Sequence, residues 1–237
     1  MNAPKPTRRP AHVPVLFLSG AGLPAWIWDD VRADLPAGTN TAVARYPRET
    51  HASLGEYADA VAAQVPWSSF AVVAHSIGGV VATELMARHP GRVAGILGVS
   101  ALIPQPGHSF VRSMPFPARL FLGAMLRFGG TRPPAKAIRT GLAGGLPPAV
   151  ADRIVADFDP ESVRLYRDPA PARQLPAARA YLFTRNDKEF TAAIQRQSAE
   201  TLEATTTEEL PTGHLPMIED PAAVSHAVQK LLATIVT

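Results

Sequence analysis

The 237-residue sequence predicts an α/β fold, a six-stranded, mostly parallel sheet with helices on both faces, and three observations carry that prediction. Short apolar runs recur along the chain without the alternation of a half-solvated strand, as strands buried on both faces require. Amphipathic helical patterns separate them. One long segment, rich in Pro, Gly and Arg and without strand character, interrupts the rhythm, and a stretch that long in a compact domain reads as a helical insertion rather than a loop.

The strand candidates, in order, are "HVPVLFL" (12–18), "TAVAR" (41–45), "FAVVA" (70–74), "VAGILGVS" (93–100), "RAYLFT" (179–184) and the more polar "TTTEEL" (205–210). Between the second and third, "LGEYADAVAAQV" aligns Leu54, Tyr57, Ala58, Val61 and Val65 on one helical face. "VVATELMARH" and "AAVSHAVQKLLATI" repeat the pattern, and Asp220 directly before Pro221 reads as the N-cap of the last helix. The chain therefore divides into a disordered tail (1–11), a first part of the core (12–103), a helical lid (104–176) and a second part of the core (177–237). The lid's apolar residues Phe116, Leu120, Phe121, Met125 and Phe128 are expected to pack over the sheet, with contact to a membrane as the alternative.

Composition narrows the function classes. A formal charge of +3 with scattered arginines gives too weak a field for nucleic acid, and the basic cluster "KPTRRP" reads as a solvated tail. No apolar run approaches the roughly 20 residues of a membrane span, and prolines interrupt the N-terminal stretch where a signal peptide needs apolar continuity. A cytoplasmic protein without stable membrane association, monomeric or homodimeric, is the expectation. Zero cysteines remove thiolate nucleophiles, and the seven histidines are too dispersed for a metal site, so no metal is expected.

In "VVAHSIGGVV" a strand ends and a helix begins within about two residues, which forces the residue between them into a strained turn. Ser76 occupies that place, with Gly78 and Gly79 after it to let the helix approach the strand. A serine there can be a plain N-cap, and Ala74 stands where the G-x-S-x-G elbow has its first glycine. A nucleophilic serine needs a base. His214, in "LPTGHLPMIEDP" after the last strand, lies where the carboxyl ends of parallel strands converge. His75, although adjacent to Ser76, is expected to point elsewhere. In the chain order serine, acid, histidine, the acid follows a strand between them, and Asp187 in "TRNDKEF" is the choice, with an Asx-turn role and neighbouring Glu189 as alternatives. The backbone N–H groups of Ile77 and of Ala21, in "LSGAGLPAW", are the candidate oxyanion donors.

These blocks, "FLSGAGLPAWIWDDV", "VVAHSIGGVVATELMARHPGRVAGILGVSALIP", "YLFTRNDKEF" and "GHLPMIEDP", resemble in order those of the α/β-hydrolase superfamily, within it the compact esterases and hydroxynitrile lyases typified by plant methyl esterases. The resemblance implies an α/β-hydrolase core of about six strands, a helical cap and a cofactor-free acyl-enzyme mechanism. It departs from the pattern at Ser19, where the family usually has histidine before the glycine. The lyases' threonine and lysine fall at Gly20 and Leu215, which disfavours cyanohydrin cleavage. The expected activity is hydrolysis of small apolar carboxylic esters through an acyl-enzyme on Ser76. The alternatives are acyl transfer, thioesterase, lactonase or cyclase chemistry with the same three residues, or a ligand receptor on the hydrolase fold. The expected partner is a small-molecule ester or acyl substrate.

Overall fold

The computed structural model describes residues 13–235, so the expected tail with its basic cluster, and His12 at the start of the first strand candidate, lie outside the described residues. Six parallel strands, β1 (Val15–Leu18), β2 (Thr41–Val43), β3 (Phe70–Ser76), β4 (Val93–Ala101), β5 (Ala178–Thr184) and β6 (Thr206–Leu210), form one sheet in the order β2-β1-β3-β4-β5-β6. Because side chains alternate across the pleat, the central strands feed two cores. Leu16, Leu18, Val72 and Ala74 belong to one, while Val15, Phe17, Ala71 and Val73 belong to the other, all fully buried. Burial on both faces is why these runs read as continuously apolar.

Helices cover both faces. They are, in chain order, α1 (Asp29–Ala33), α2 (Leu54–Ala63), α3 (Gly78–Arg88), α4 (Phe110–Ser113), α5 (Ala118–Phe128), α6 (Ala135–Ala137), α7 (Pro148–Asp157), α8 (Val163–Arg167), α9 (Ala192–Thr201), α10 (Pro216–Glu219) and α11 (Pro221–Ile235). Helix α2 begins in a capping box, in which the Ser53 side chain accepts from the Glu56 amide and the Glu56 carboxylate accepts from the Ser53 amide. It ends at Ala63, short of the predicted Val65, since a residue before proline disfavours the helical region and Pro66 follows. Asp220 accepts from the Ala223 amide at 3.0 Å and starts α11 at Pro221.

Residues 104–176 hold α4 to α8 and, among the described residues, no strand. In one respect this insertion differs from expectation. Helix α5 turns Leu126 into the core and lays Leu122 against it, which rotates the opposite side outward. Phe116, Leu120, Phe121 and Phe128 are consequently 69%, 59%, 76% and 84% exposed, and Met125 is only half-buried, so this face does not pack over the sheet.

Candidate active site

The strand-to-helix turn after β3 puts Ser76 in the left-handed region, with φ 54°, where a side chain is strained. Three glycines make room for it. A Cβ on Gly78 would lie near the Leu18 and Ser19 carbonyl oxygens, at 2.4 and 2.9 Å, and one on Gly79 would lie 2.5 Å from the Leu102 carbonyl oxygen. One on Gly20 would come within 3.0 Å of both the His75 ring and the Ser76 Cβ. The glycines are thus required for close approach between α3, the loop after β1 and the end of β4. Buried Ala74 fills the place of the elbow's first glycine, paired with Leu18 and Gly98 on the flanking strands.

Asp187 and His214 leave the sheet after β5 and β6, at the same carboxyl-end rim as Ser76. Their side chains are 0% and 2% exposed and meet at 2.7 Å, His214 Nδ1 to Asp187 Oδ2. A carboxylate can only accept, so Nδ1 carries the proton and Nε2 keeps its lone pair. The same Asp187 oxygen accepts from the Ser100 hydroxyl at 2.5 Å and the Thr184 hydroxyl at 3.0 Å. Its other oxygen accepts from the amides of Glu189 and Phe190, so the Asx-turn and the contact to His214 use different atoms of one side chain. Glu189 itself is exposed. Burial pushes the Asp187 carboxyl upward, but its electrostatic interaction with His214 and these hydrogen bonds outweigh it and hold the group well below the usual carboxylate range. The edge of the Phe190 ring closes on the His214 imidazole at 5.1 Å.

Ser100 escaped the sequence reading, and His75, which points away from Ser76 as expected, has a role the sequence did not show. The pairing of β3 with β4 steps from His75↔Val99 to Ser76↔Ala101, and the residue passed over is Ser100, with φ 39°. That bulge turns its hydroxyl toward Asp187. His75 is fully buried, and its Nε2–H donates to the His214 carbonyl at 2.8 Å. Burial, then electrostatic interaction with His214, lowers its pKa to about 3, so it is a neutral ring that holds the backbone of the other histidine. A polar residue closing an apolar strand was the available signal for Ser100. Nothing in the local sequence distinguishes the contact made by His75, which spans 139 residues of chain. Among the described residues, no hydrogen bond joins the Ser76 hydroxyl to His214, and no three His, Asp or Glu side chains gather closely enough to hold a metal ion.

Ile77, which follows Ser76 directly, is buried at the start of α3, and Ala21 lies in the loop after β1 next to Gly20, whose would-be Cβ falls 3.0 Å from the Ser76 Cβ. Ser19, the departure from the family pattern, is structural: its hydroxyl accepts from the Trp28 indole at 3.0 Å and its carbonyl from the Tyr46 phenol at 2.9 Å. The loop is also tied to the insertion. Glu161 Oε1 accepts from the Gly22 amide at 3.2 Å and Oε2 from the Tyr57 phenol at 2.8 Å, while the Asp159 amide donates to the Gly22 carbonyl at 3.1 Å. The Phe158 ring occupies the space a Gly22 side chain would need. Burial raises the Glu161 carboxyl to about 7 against the pull of its hydrogen bonds.

A parallel sheet with a strained serine turn and a buried carboxylate–imidazole pair at one rim defines a hydrolase-type α/β protein. The chain belongs to the alpha/beta hydrolase family, whose model matches residues 15–227. It is 34% identical over 105 residues to "Probable esterase PIR7A" of Oryza sativa, in both subspecies indica and japonica, which covers 39% of this chain and 40% of the relatives' length. An extracellular alpha/beta-hydrolase from a Paenibacillus species superimposes with a TM-score of 0.76 at 17% identity, covering 92% of this chain and 98% of that one. A pyrethroid hydrolase from Sphingobium faniae gives 0.74 at 20% identity over 93% and 97%, and a methylesterase from Arabidopsis 0.73 at 17% over 94% and 99%. At these identities the structural matches establish the shared fold.

Proposed function

We propose that this chain is a serine carboxylesterase acting on small, largely apolar esters. The observation that carries the reading is the 2.7 Å contact of His214 with Asp187 at the rim where Ser76 stands in a left-handed turn. In the proposed reaction His214 Nε2 takes the Ser76 hydroxyl proton as Oγ adds to the ester carbonyl. Asp187 keeps the Nδ1–H tautomer in place and favours the imidazolium. The tetrahedral oxyanion is received by the Ala21 and Ile77 amides, each worth about 3 kcal/mol in the transition state when aimed at it. The imidazolium then returns its proton to the leaving alcohol, leaving an acyl group on Ser76. Water, deprotonated by the same His214, releases the acid and restores the serine. The esterase description of the rice relatives supports this class of substrate.

Turnover of a short p-nitrophenyl ester, with fluorophosphonate labelling of folded protein, tests the assignment. Ser76→Ala is expected to abolish labelling and reduce kcat by at least about a thousandfold. Undiminished turnover in that variant, or labelling elsewhere, overturns it.

A further inference from the structure

Helix α5 is apolar on two sides. Leu126 and Leu122 face the core, while Leu120, Phe121, Ala124 and Phe128 share roughly a 100° sector on the other side at the helical repeat. Phe116, just before the helix, is exposed as well. A helix that is apolar all round is ordinarily covered all round. The charges carried by this stretch of the chain are of one sign. There is no Asp or Glu between Glu84 and Asp152, whereas Arg112, Arg119, Arg127, Arg132, Lys136 and Arg139 fall in that stretch. Arg139 pairs with Asp152, and Arg132 is held by the Phe158 and Val155 carbonyls. Arg112, Arg119, Arg127 and Lys136 are exposed and form no ion pair among the described residues. The Arg127 guanidinium lies 5.7 Å from the Phe128 ring, at the border of the apolar sector.

We infer that α5 is the docking face of this protein for an anionic lipid surface, with the phenylalanines entering the interface and the unpaired cations meeting the headgroups. A protruding apolar helix with flanking Arg and Lys is the geometry of a segment that lies in the plane of a membrane interface. A second copy docked through the same face about a two-fold axis would set these like charges against one another. No helix among the described residues is long and apolar enough to cross a membrane, so the association is peripheral and reversible.

Flotation of the full chain with phosphatidylcholine vesicles, with and without phosphatidylglycerol, tests this independently of any catalysis. Co-flotation is expected with phosphatidylglycerol present, to weaken as salt is raised, and to fall at least about tenfold in a Phe116→Ser, Phe121→Ser, Phe128→Ser variant. A separate Arg119→Glu, Arg127→Glu variant, which leaves the apolar face intact, is expected to lose binding too, and circular dichroism checks that both are folded. Absence of co-flotation with the anionic vesicles overturns the inference. So does undiminished flotation of both folded variants, which would move binding elsewhere on the chain. A native dimer in size-exclusion chromatography that the serine variant dissolves overturns it in favour of a second copy.

Discussion

At the rim of the sheet, Asp187 accepts five hydrogen bonds on a side chain wholly out of solvent, whereas along α5 four cations form no ion pair and four large apolar side chains stand exposed. The difference lies in how far each region is determined from within. The rim is closed by contacts that reach across the whole chain, from β1 to the loop before α10. The insertion is satisfied inward, toward the core, and left open outward. Rigid positioning of a few polar groups is what chemistry at a site requires, and an unfilled outer face is what a surface waiting for a partner presents.

The contrast is tested most severely at Asp187. Asparagine keeps the shape but presents an amide where an acceptor of the His214 Nδ1–H and of the Ser100 and Thr184 hydroxyls is needed, which permits the wrong imidazole tautomer. Asp187→Asn is therefore expected to lower kcat/KM for a p-nitrophenyl ester by about 10³ to 10⁴. A loss below about tenfold would mean that the buried pair is structural only.

A smaller effect is expected where the two regions meet. Glu161 belongs to the insertion but its carboxyl receives the Gly22 amide of the loop after β1 and the phenol of Tyr57, Asp159 adds to its upward shift, and its own charge pushes the phenols of Tyr46 and Tyr166 up. Asp159 in turn is paired with Arg48 at 3.6 Å. A carboxyl raised from 4.5 to about 7 holds its proton in the folded chain over a range in which the unfolded chain has released it. Its contribution to stability is accordingly full below about pH 4.5 and lost as pH rises through about 7. Glu161→Gln keeps an acceptor for Gly22 and replaces the ionisable oxygen by an amide that can donate to Tyr57. Urea denaturation at pH 5 and pH 8 is expected to show that the variant escapes a decline of, at most, about 3 kcal/mol that the native chain suffers. Identical pH dependence of the two proteins would remove Glu161 from the joint between insertion and core.

The sequence was most legible where one local pattern determines one structure. All six strand runs are strands, including the polar β6, and the positions of Ser76, Gly78 and Gly79 follow from an abrupt change of period from strand to helix. Asp187 and His214 were found by their place after successive strands, since parallel strands deliver their carboxyl ends to one rim. What stayed hidden depends on distance along the chain. The Ser100 bulge requires knowing the register of β4 against β3, the His75 contact requires knowing where residue 214 returns, and Glu161 reaches Gly22 across 139 residues. The outward face of α5 was misread for a related reason: an apolar pattern tells that a helix has a greasy side, and this helix has two.

The finest discrimination comes from making one substitution in both regions. At Gly78 an added Cβ meets the Leu18 carbonyl oxygen at 2.4 Å, and that oxygen is backbone in the central part of the sheet, which has little room to move. Gly78→Ala is expected to cost about 2 to 3 kcal/mol, as overpacking of a fixed core does. Gly123 sits in the middle of α5 with nothing within 4 Å of its would-be Cβ, and its carbonyl still accepts from Arg167 whatever the side chain. There the helix pays the conformational freedom of glycine without using it, so Gly123→Ala is expected to stabilise by about 0.5 to 1 kcal/mol. Chemical denaturation of the two variants reads both signs directly. A gain at position 78 would dismiss the close approach that sets the serine turn, and a loss at position 123 would mean that the outward side of α5 is already covered.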